Sequence, residues 1–469
     1  MSEMSAGRFI IPLHSNSIVK FLHLVGTRFN ELSNSVAYIP QDKYVARTAQ
    51  RHLDHENLHL DYLNYRPTAD FESLCDKYGI DSPRNLVFPQ MVYDRSYDAP
   101  SHRPYWLSGT NSLQYKEYRE LLHRTLEYLD ELYENDNGGI PLQYQGGEVL
   151  RRVLQRVANY HEYPSVRTSF SPVPGRVLFR STEEMHFPAL EAANYDDMTP
   201  KEREDARKFR ASVTENQQQV IGHSRQSKSL YQNLRRKARR IQEHRDDLTP
   251  VISNWLRRHA VKPLLGAAAK RLYLDEGRSR EFIESNKYVF YPLQYFRESR
   301  VTMRAPEFYN QLWLIEYLSR SLPPEYELVV KDHPGQLGAL PLSHAYKLRR
   351  YATGVAPTVP AREVVTGADA VVTLNNTVGY EAIMYGKPVV VLDDAFYSGA
   401  GYTRDVGDLD LLSTRLNEAV RSDGIGGETT LEFAHGLLEA SYQGKWGKRD
   451  SNNIRRFTQS LLEFAFNKQ

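Results

Sequence analysis

Four short, mostly apolar runs in the second half of the chain, Tyr288–Tyr291, Tyr326–Lys331, Ala370–Leu374 and Val389–Leu392, each stop at polar or turn-forming residues. Between them lie the helix-patterned stretches Pro306–Leu322 and Thr377–Tyr385, closed by Pro323-Pro324 and Gly386-Lys387-Pro388. Strands this short and this apolar are buried on both faces, which happens when helices cover a sheet from either side. Helices that alternate with strands in this way serve as crossovers, so the sheet is parallel. From about Asn286 onward the chain therefore reads as an α/β block.

The first half repeats the pattern less regularly. Arg8–Leu13, Ser35–Ile39, Asn85–Met91, Ile140–Tyr144 and Arg176–Phe179 read as strands. Ser17–Leu32 and Leu113–Tyr133 read as helices, the second with Leu122, Leu126, Leu129 and Leu132 near one face. Ile140–Tyr144 runs into Gln145-Gly146-Gly147 and a helix through Tyr160, a unit that sets backbone N–H groups at a helix start. At 469 residues the chain is too long for one core, since single cores stop growing near about 250–300 residues. The expected division is a Rossmann-like acceptor domain over 1–198 and a charged helical insertion over 199–285. A second Rossmann-like domain follows over 286–430, with helices over 431–469 that pack back on the first domain. The last helix, about Asn453–Phe466, offers Phe457, Leu461, Leu462 and Phe466 for burial.

Composition narrows the classes of function. A formal net charge of +2 gives no global field for nucleic acid. Cys75 is the only cysteine, which excludes an internal disulfide and a cysteine-built zinc site and fits a reducing cytoplasm. Met1–Arg8 lacks the apolar run of a signal peptide, and no run approaches the ~20 residues of a membrane-spanning helix. A cytoplasmic protein is expected, with room for peripheral contact at the inner membrane face. His223–Arg245 is densely basic, including Arg235-Arg236-Lys237 and Arg239-Arg240. It reads either as a solvated helical hairpin or as a patch for anionic headgroups or an anionic acceptor glycan.

In an open parallel sheet, ligands bind beyond the carboxyl ends of the strands. Four such ends in the second block are polar. After Tyr288–Tyr291, Gln294 can bond a base edge or a sugar hydroxyl, or it can belong to a plain turn. In Lys331-Asp332-His333-Pro334, Lys331 and His333 project to one side and suit a phosphate, or His333 is satisfied by nearby backbone. Asn375-Asn376-Thr377-Val378-Gly379-Tyr380-Glu381 opens a helix. Thr377 is placed as its N-cap, Gly379 as a point of close ligand approach, and the Thr377 hydroxyl with the N–H groups that follow it as a phosphate site, so that Asn376, Thr377, Val378 and Gly379 are candidate donor-binding residues. Glu381, one turn on, can accept from ribose hydroxyls; a capping-box variant accounts for the Thr and Glu alone. Asp393-Asp394-Ala395-Phe396-Tyr397 can close over a donor sugar or be an ordinary acidic loop.

Tyr288-Val-Phe-Tyr-Pro-Leu-Gln, Leu328-Val-Val-Lys-Asp-His-Pro, Asn376-Thr-Val-Gly-Tyr-Glu-Ala and Gly386-Lys-Pro-Val-Val-Val-Leu, followed by Ala395-Phe-Tyr, resemble the capsular polysaccharide biosynthesis family. That family includes the retaining β-Kdo transferases of capsule assembly. The resemblance covers about residues 286–420; before that, only the Pro174-Gly175-Arg176 turn is similar. It implies a GT-B architecture, two Rossmann-like domains facing a cleft with the donor nucleotide held mainly by the second. His333, Thr377 and Glu381 are the donor contacts that carry over. It also implies no cofactor beyond the nucleotide-sugar co-substrate and no bound metal; Asp408-Leu409-Asp410 lies in a late loop.

The expected reaction moves a sugar from a nucleotide donor, CMP-Kdo-like in this family, to a glycan or glycolipid. His333, Thr377 and helix amides would stabilise the leaving phosphate with help from Lys331. His14, Asp94 and Glu183, each read at or near a strand end, are the first-domain candidates for a catalytic group. Alternatives are a CDP-glycerol-type glycerophosphotransferase, a UDP-sugar 2-epimerase-type isomerase, and a non-catalytic subunit of a polysaccharide assembly complex.

Overall fold

A computed structural model describes residues 7–98, 115–135, 137–215, 260–295, 298–333, 336–337 and 342–467. The first domain holds β1 (Arg8–Leu13), β2 (Ser35–Pro40), β3 (Ile140–Tyr144), β4 (Val166–Phe170) and β5 (Arg176–Arg180). The second holds β6 (Tyr288–Pro292), β7 (Glu327–Lys331), β8 (Thr353–Val355), β9 (Ala370–Thr373), β10 (Val389–Val391) and β11 (Arg404–Asp405). A last strand, β12 (Ser441–Gln443), returns to the first sheet.

The strand orders are β12-β5-β4-β3-β1-β2 and β11-β10-β9-β6-β7-β8. Every pairing in the second sheet is parallel. In the first, β2, β1, β3 and β4 are parallel, while β5 runs antiparallel to both β4 and β12. Register aligns Pro292 with Lys331 and Thr373 with Val391, so the loops after β6, β7, β9 and β10 open along one edge.

Strand residues alternate between two cores, as the period of two requires. Phe9, Ile11 and Leu13 join the core beneath α1 (Val19–Glu31), where Phe9 and Phe29 stack with centroids 4.4 Å apart. Ile10 faces the other way, toward α2 (Pro83–Asp98), α3 (Tyr115–Glu134) and α4 (Val149–Tyr160). In the second sheet Phe290, Val329 and Val371 face one core, and Val289, Val330 and Val372 the other. This two-sided burial is what the short apolar runs required.

α5 (Pro200–Thr214) starts with a capping box between Thr199 and Glu202. It buries Ala206 and Phe209 in the core shared with Tyr380 and Phe433 of the second domain. The second domain also contains α6 (Gln311–Ser321) and α7 (Thr377–Met384). After α8 (Gly427–Ala440) and β12, α9 (Ser451–Asn467) crosses back and places Phe457, Leu461 and Leu462 in the core beneath α1. Two α/β domains with a returning terminal helix make up the GT-B arrangement.

Three local expectations are corrected. Asn85–Met91 is helix within α2, not strand. Leu86, Val87, Gln90 and Met91 are all buried, and a helix puts such adjacent pairs four apart on one side, whereas a strand turns adjacent residues to opposite faces. Asp94, expected near a strand end, therefore lies inside that helix. Pro306–Leu322 divides into a 3₁₀ turn at Pro306–Phe308 and α6, because Asn310 caps a new start by accepting from the Trp313 N–H. The basic stretch His223–Arg245 and Pro334 lie outside the described residues. Among the described residues no helix is long and apolar enough to cross a membrane.

Candidate active site

The two domains meet in a narrow crevice lined by Gln145, Phe170 and Met185 from the first and by Arg300, Arg304, Asn375, Thr377 and Phe396 from the second. Its free volume is about 10 Å³, room for roughly one water.

The floor is the start of α7. Asn376, not Thr377, is its N-cap: the Asn376 side chain accepts from the Val378 N–H at 2.9 Å. Asn376 adopts the extended backbone a cap needs, and Asn caps at least as well as Thr. Thr377 becomes the first helical residue, and its side chain lines the crevice. The Val378 N–H is already committed to this cap. Gly379 is buried, and a methyl group there would come 2.3 Å from the Tyr397 hydroxyl. The space it leaves thus seats Tyr397, whose hydroxyl donates to the Asn376 carbonyl at 2.5 Å, and not a ligand.

Sequence reading missed the basic wall. A π-helical turn, Arg300–Arg304, sets Arg300 and Arg304 one turn apart on the crevice. Among the described residues neither guanidinium has an ion-pair partner within 4.0 Å. Burial and the Arg300 charge push Arg304 down to about 10, against the opposing pull of Asp393 and Asp394. Two basic residues four apart, between a strand end and a helix, were the signal available; their meaning depended on which surface they would face.

Asn375 connects this wall to the acidic loop. Its Nδ2 donates to the Arg300 carbonyl at 3.1 Å and to Asp393 Oδ2. Its Oδ1 is buried with no donor among the described residues. A buried acceptor left unpaired costs about 1–3 kcal/mol. Burial raises Asp393 to about 7, although the Arg304 charge and the Asn375 bond lower it.

The first domain closes the other side. The Gly147 backbone touches the turn of Arg300–Arg304, so that a methyl there would lie 2.7 Å from the Met303 carbonyl. Arg180 donates to the carbonyls of Thr182, Glu183 and Glu184, shaping the loop after β5. That loop presents the Met185 N–H to both Asp394 carboxylate oxygens at 2.8 and 3.0 Å, a bond across the seam.

The other expected site residues lie outside the crevice lining. Gln294 is buried after β6, its backbone held at both N–H and carbonyl by Gln311 at 2.8 Å, with Nε2 unpartnered among the described residues. Lys331 Nζ donates to the Pro357 carbonyl at 2.9 Å, and burial lowers its pKa. His333 is exposed, its ring 5.8 Å from that of Tyr295. Burial raises half-buried Glu381 to about 7. His14, just past β1, is held well below the usual histidine range by burial and then by Arg151. Asp94 accepts from the Tyr118 hydroxyl at 3.0 Å. Glu183 is exposed and accepts from Arg167 at 3.0 Å. The cluster of Asp130, Glu134 and His161 already contains the Lys77 ammonium, at 2.7 and 2.6 Å from the two carboxylates.

Comparison with known proteins adds a family likeness. The profile of the capsule polysaccharide biosynthesis proteins matches residues 223–421. Protein FixF of Sinorhizobium fredii is 29% identical over 123 residues, 24% of this chain and 27% of that protein. The capsule polysaccharide export protein KpsS of Escherichia coli is 30% identical over 128 residues, 25% of this chain and 32% of its own length. The match thus spans less than a third of either relative. Among solved structures, the β-Kdo 2,7 transferase KpsC of Thermosulfurimonas dismutans aligns over 72% of this chain and 89% of that one. Its identity of 14% and TM-score of 0.33 carry no argument about chemistry. The matched segment, residues 223–421, is thus similar to the capsule polysaccharide biosynthesis proteins and holds the motifs after β6, β7, β9 and β10.

Proposed function

We propose that this chain is a glycosyltransferase that moves a sugar from a nucleotide-activated donor to a glycan or glycolipid acceptor in capsular or surface polysaccharide biosynthesis. The observation that carries the reading is Arg300 and Arg304, without an ion-pair partner among the described residues, beside the start of α7 in a crevice between two α/β domains. Guanidinium groups are suited to bidentate phosphate recognition. In this reading they hold the donor phosphate, with Thr377 beneath it, and neutralise charge as the sugar–phosphate bond breaks. That is the task a divalent metal performs elsewhere, so the transfer needs none. Gln294, His333 and Glu381 surround the nucleoside.

Of the three first-domain candidates, Glu183 is retained as the group that activates the acceptor hydroxyl. Its loop reaches the seam through Met185, and its carboxylate is exposed. Asp94 is tied to Tyr118, and burial with the nearby Arg151 charge lowers the pKa of His14, which weakens its imidazole as a base. CMP-linked 2-keto sugars, on family precedent, are the first donors to try.

The test is calorimetry with CMP, CDP, UDP, GDP and their common sugar conjugates on the wild type and on Arg300→Ala/Arg304→Ala. One nucleotide should bind the wild type and bind the variant at least tenfold more weakly, as two lost charge-assisted contacts of about 1.5–3 kcal/mol each imply. Preference for CDP-glycerol would turn the assignment to a glycerophosphotransferase. Binding of none would leave a non-catalytic subunit.

A further inference from the structure

Asn375 is 4% exposed and lines the crevice. The Arg300 backbone carbonyl can only accept, so the amide end toward it must be the Nδ2 donor, whatever the protonation of Asp393. This removes the usual ambiguity of an asparagine flip. With one N–H on Arg300 and the other on Asp393, both donors are used. The Oδ1 acceptor remains, buried and without a donor among the described residues. A phosphate in the ionised state offers acceptors only. A ligand that displaces the one water this crevice has room for, and still satisfies Oδ1, therefore brings a hydroxyl or N–H next to its anionic group. Asn375 lies two residues before Thr377 and bonds the Arg300 backbone, so that donor sits beside the phosphate. Gln145 and Met185 of the first domain line the same crevice, so in the glycosyltransferase reading this end would take the sugar of the donor.

Resting on the glycosyltransferase reading, we propose that Asn375 reads a hydroxyl of the sugar esterified to the bound phosphate, and that Asp393 is the positioning residue that orients its amide. Neither residue touches the leaving bond. Asn375 sets which sugar is accepted, because a site built around a hydrogen bond discriminates against the analogue that lacks the group.

The experiment compares wild type, Asn375→Ala and Asp393→Asn. Each is titrated calorimetrically with whichever of CMP, CDP, UDP and GDP binds best, and with the sugar conjugate of that nucleotide. The expected result is unchanged affinity for the bare nucleotide, within about twofold, and at least tenfold weaker binding of the conjugate in Asn375→Ala, with a smaller loss in Asp393→Asn. A conjugate lacking the hydroxyl should bind wild type and Asn375→Ala alike; a purely structural Asn375 would not produce this equality. Equal losses for nucleotide and conjugate, or no loss for either, overturn the proposal and leave the glycosyltransferase reading intact. If no nucleotide binds the wild type, both fall.

Discussion

Replacing Gly379 with alanine pushes a methyl group into the Tyr397 ring. Overpacking of this kind costs about 1–3 kcal/mol, and thermal melts should show it; combining it with Tyr397→Leu should return part of the loss. The glycine was visible in the sequence, but its partner lies far along the chain, so the residue read as a ligand gap. Asp393 gives a pH prediction. Its folded-state pKa is raised to about 7, mainly by burial, against about 3.9 when unfolded. Between these values the native state binds more protons than the unfolded one. The contribution of this group to stability therefore falls as pH rises from about 4 to about 7. Asp393→Asn removes that slope, so the melting temperature of the variant minus that of wild type should increase from pH 5 to pH 8; a constant difference would contradict the assignment. Thr377 was legible as a crevice residue because a polar run between strand and helix has one place to go. Lys331 was misleading, because a cation at a strand end can equally serve a neighbouring carbonyl, here that of Pro357.

At the scale of elements, α7 depends on its cap. Asn376→Ala removes the acceptor of the Val378 N–H and should cost about 0.5–2 kcal/mol, seen as a lower denaturant midpoint with an unchanged m-value. Glu183→Gln, on an exposed loop, should leave stability within about 0.5 kcal/mol while lowering sugar transfer about 10²–10⁴-fold, the usual share of general base catalysis. The second sheet could be read from the sequence because its strands are short, apolar on both faces and punctuated. α2 could not: Asn-Leu-Val-Phe-Pro-Gln-Met-Val is dense enough in apolar residues that a period of two and a period of four look alike. Burial of Leu86, Val87, Gln90 and Met91 decides it. The turn of Arg300–Arg304 has no sequence period of its own, and its role comes from packing against Gly147.

For the whole molecule, length and recurring strands were enough to indicate two α/β domains, and Phe457, Leu461 and Leu462 marked the returning helix. The joining of α5 to the second core and of β12 to the first sheet was hidden, because a surface is recognised as buried only when its partner is known. The basic stretch His223–Arg245, read as a membrane patch, predicts that changing Arg235, Arg236, Arg239 and Arg240 to Glu lowers co-flotation with anionic vesicles; unchanged flotation would remove that role. The central claim is that the closed seam is where a sugar leaves its nucleotide. The most direct measurement is release of free nucleotide from CMP-, UDP- and GDP-sugars by wild type and by Arg304→Ala, with a glycan or glycolipid acceptor present. The account predicts turnover of one donor class by wild type and a loss of about 10²–10³-fold in the variant, the scale of one removed transition-state donor. Turnover that survives Arg304→Ala undiminished, or no turnover of any donor, would contradict it.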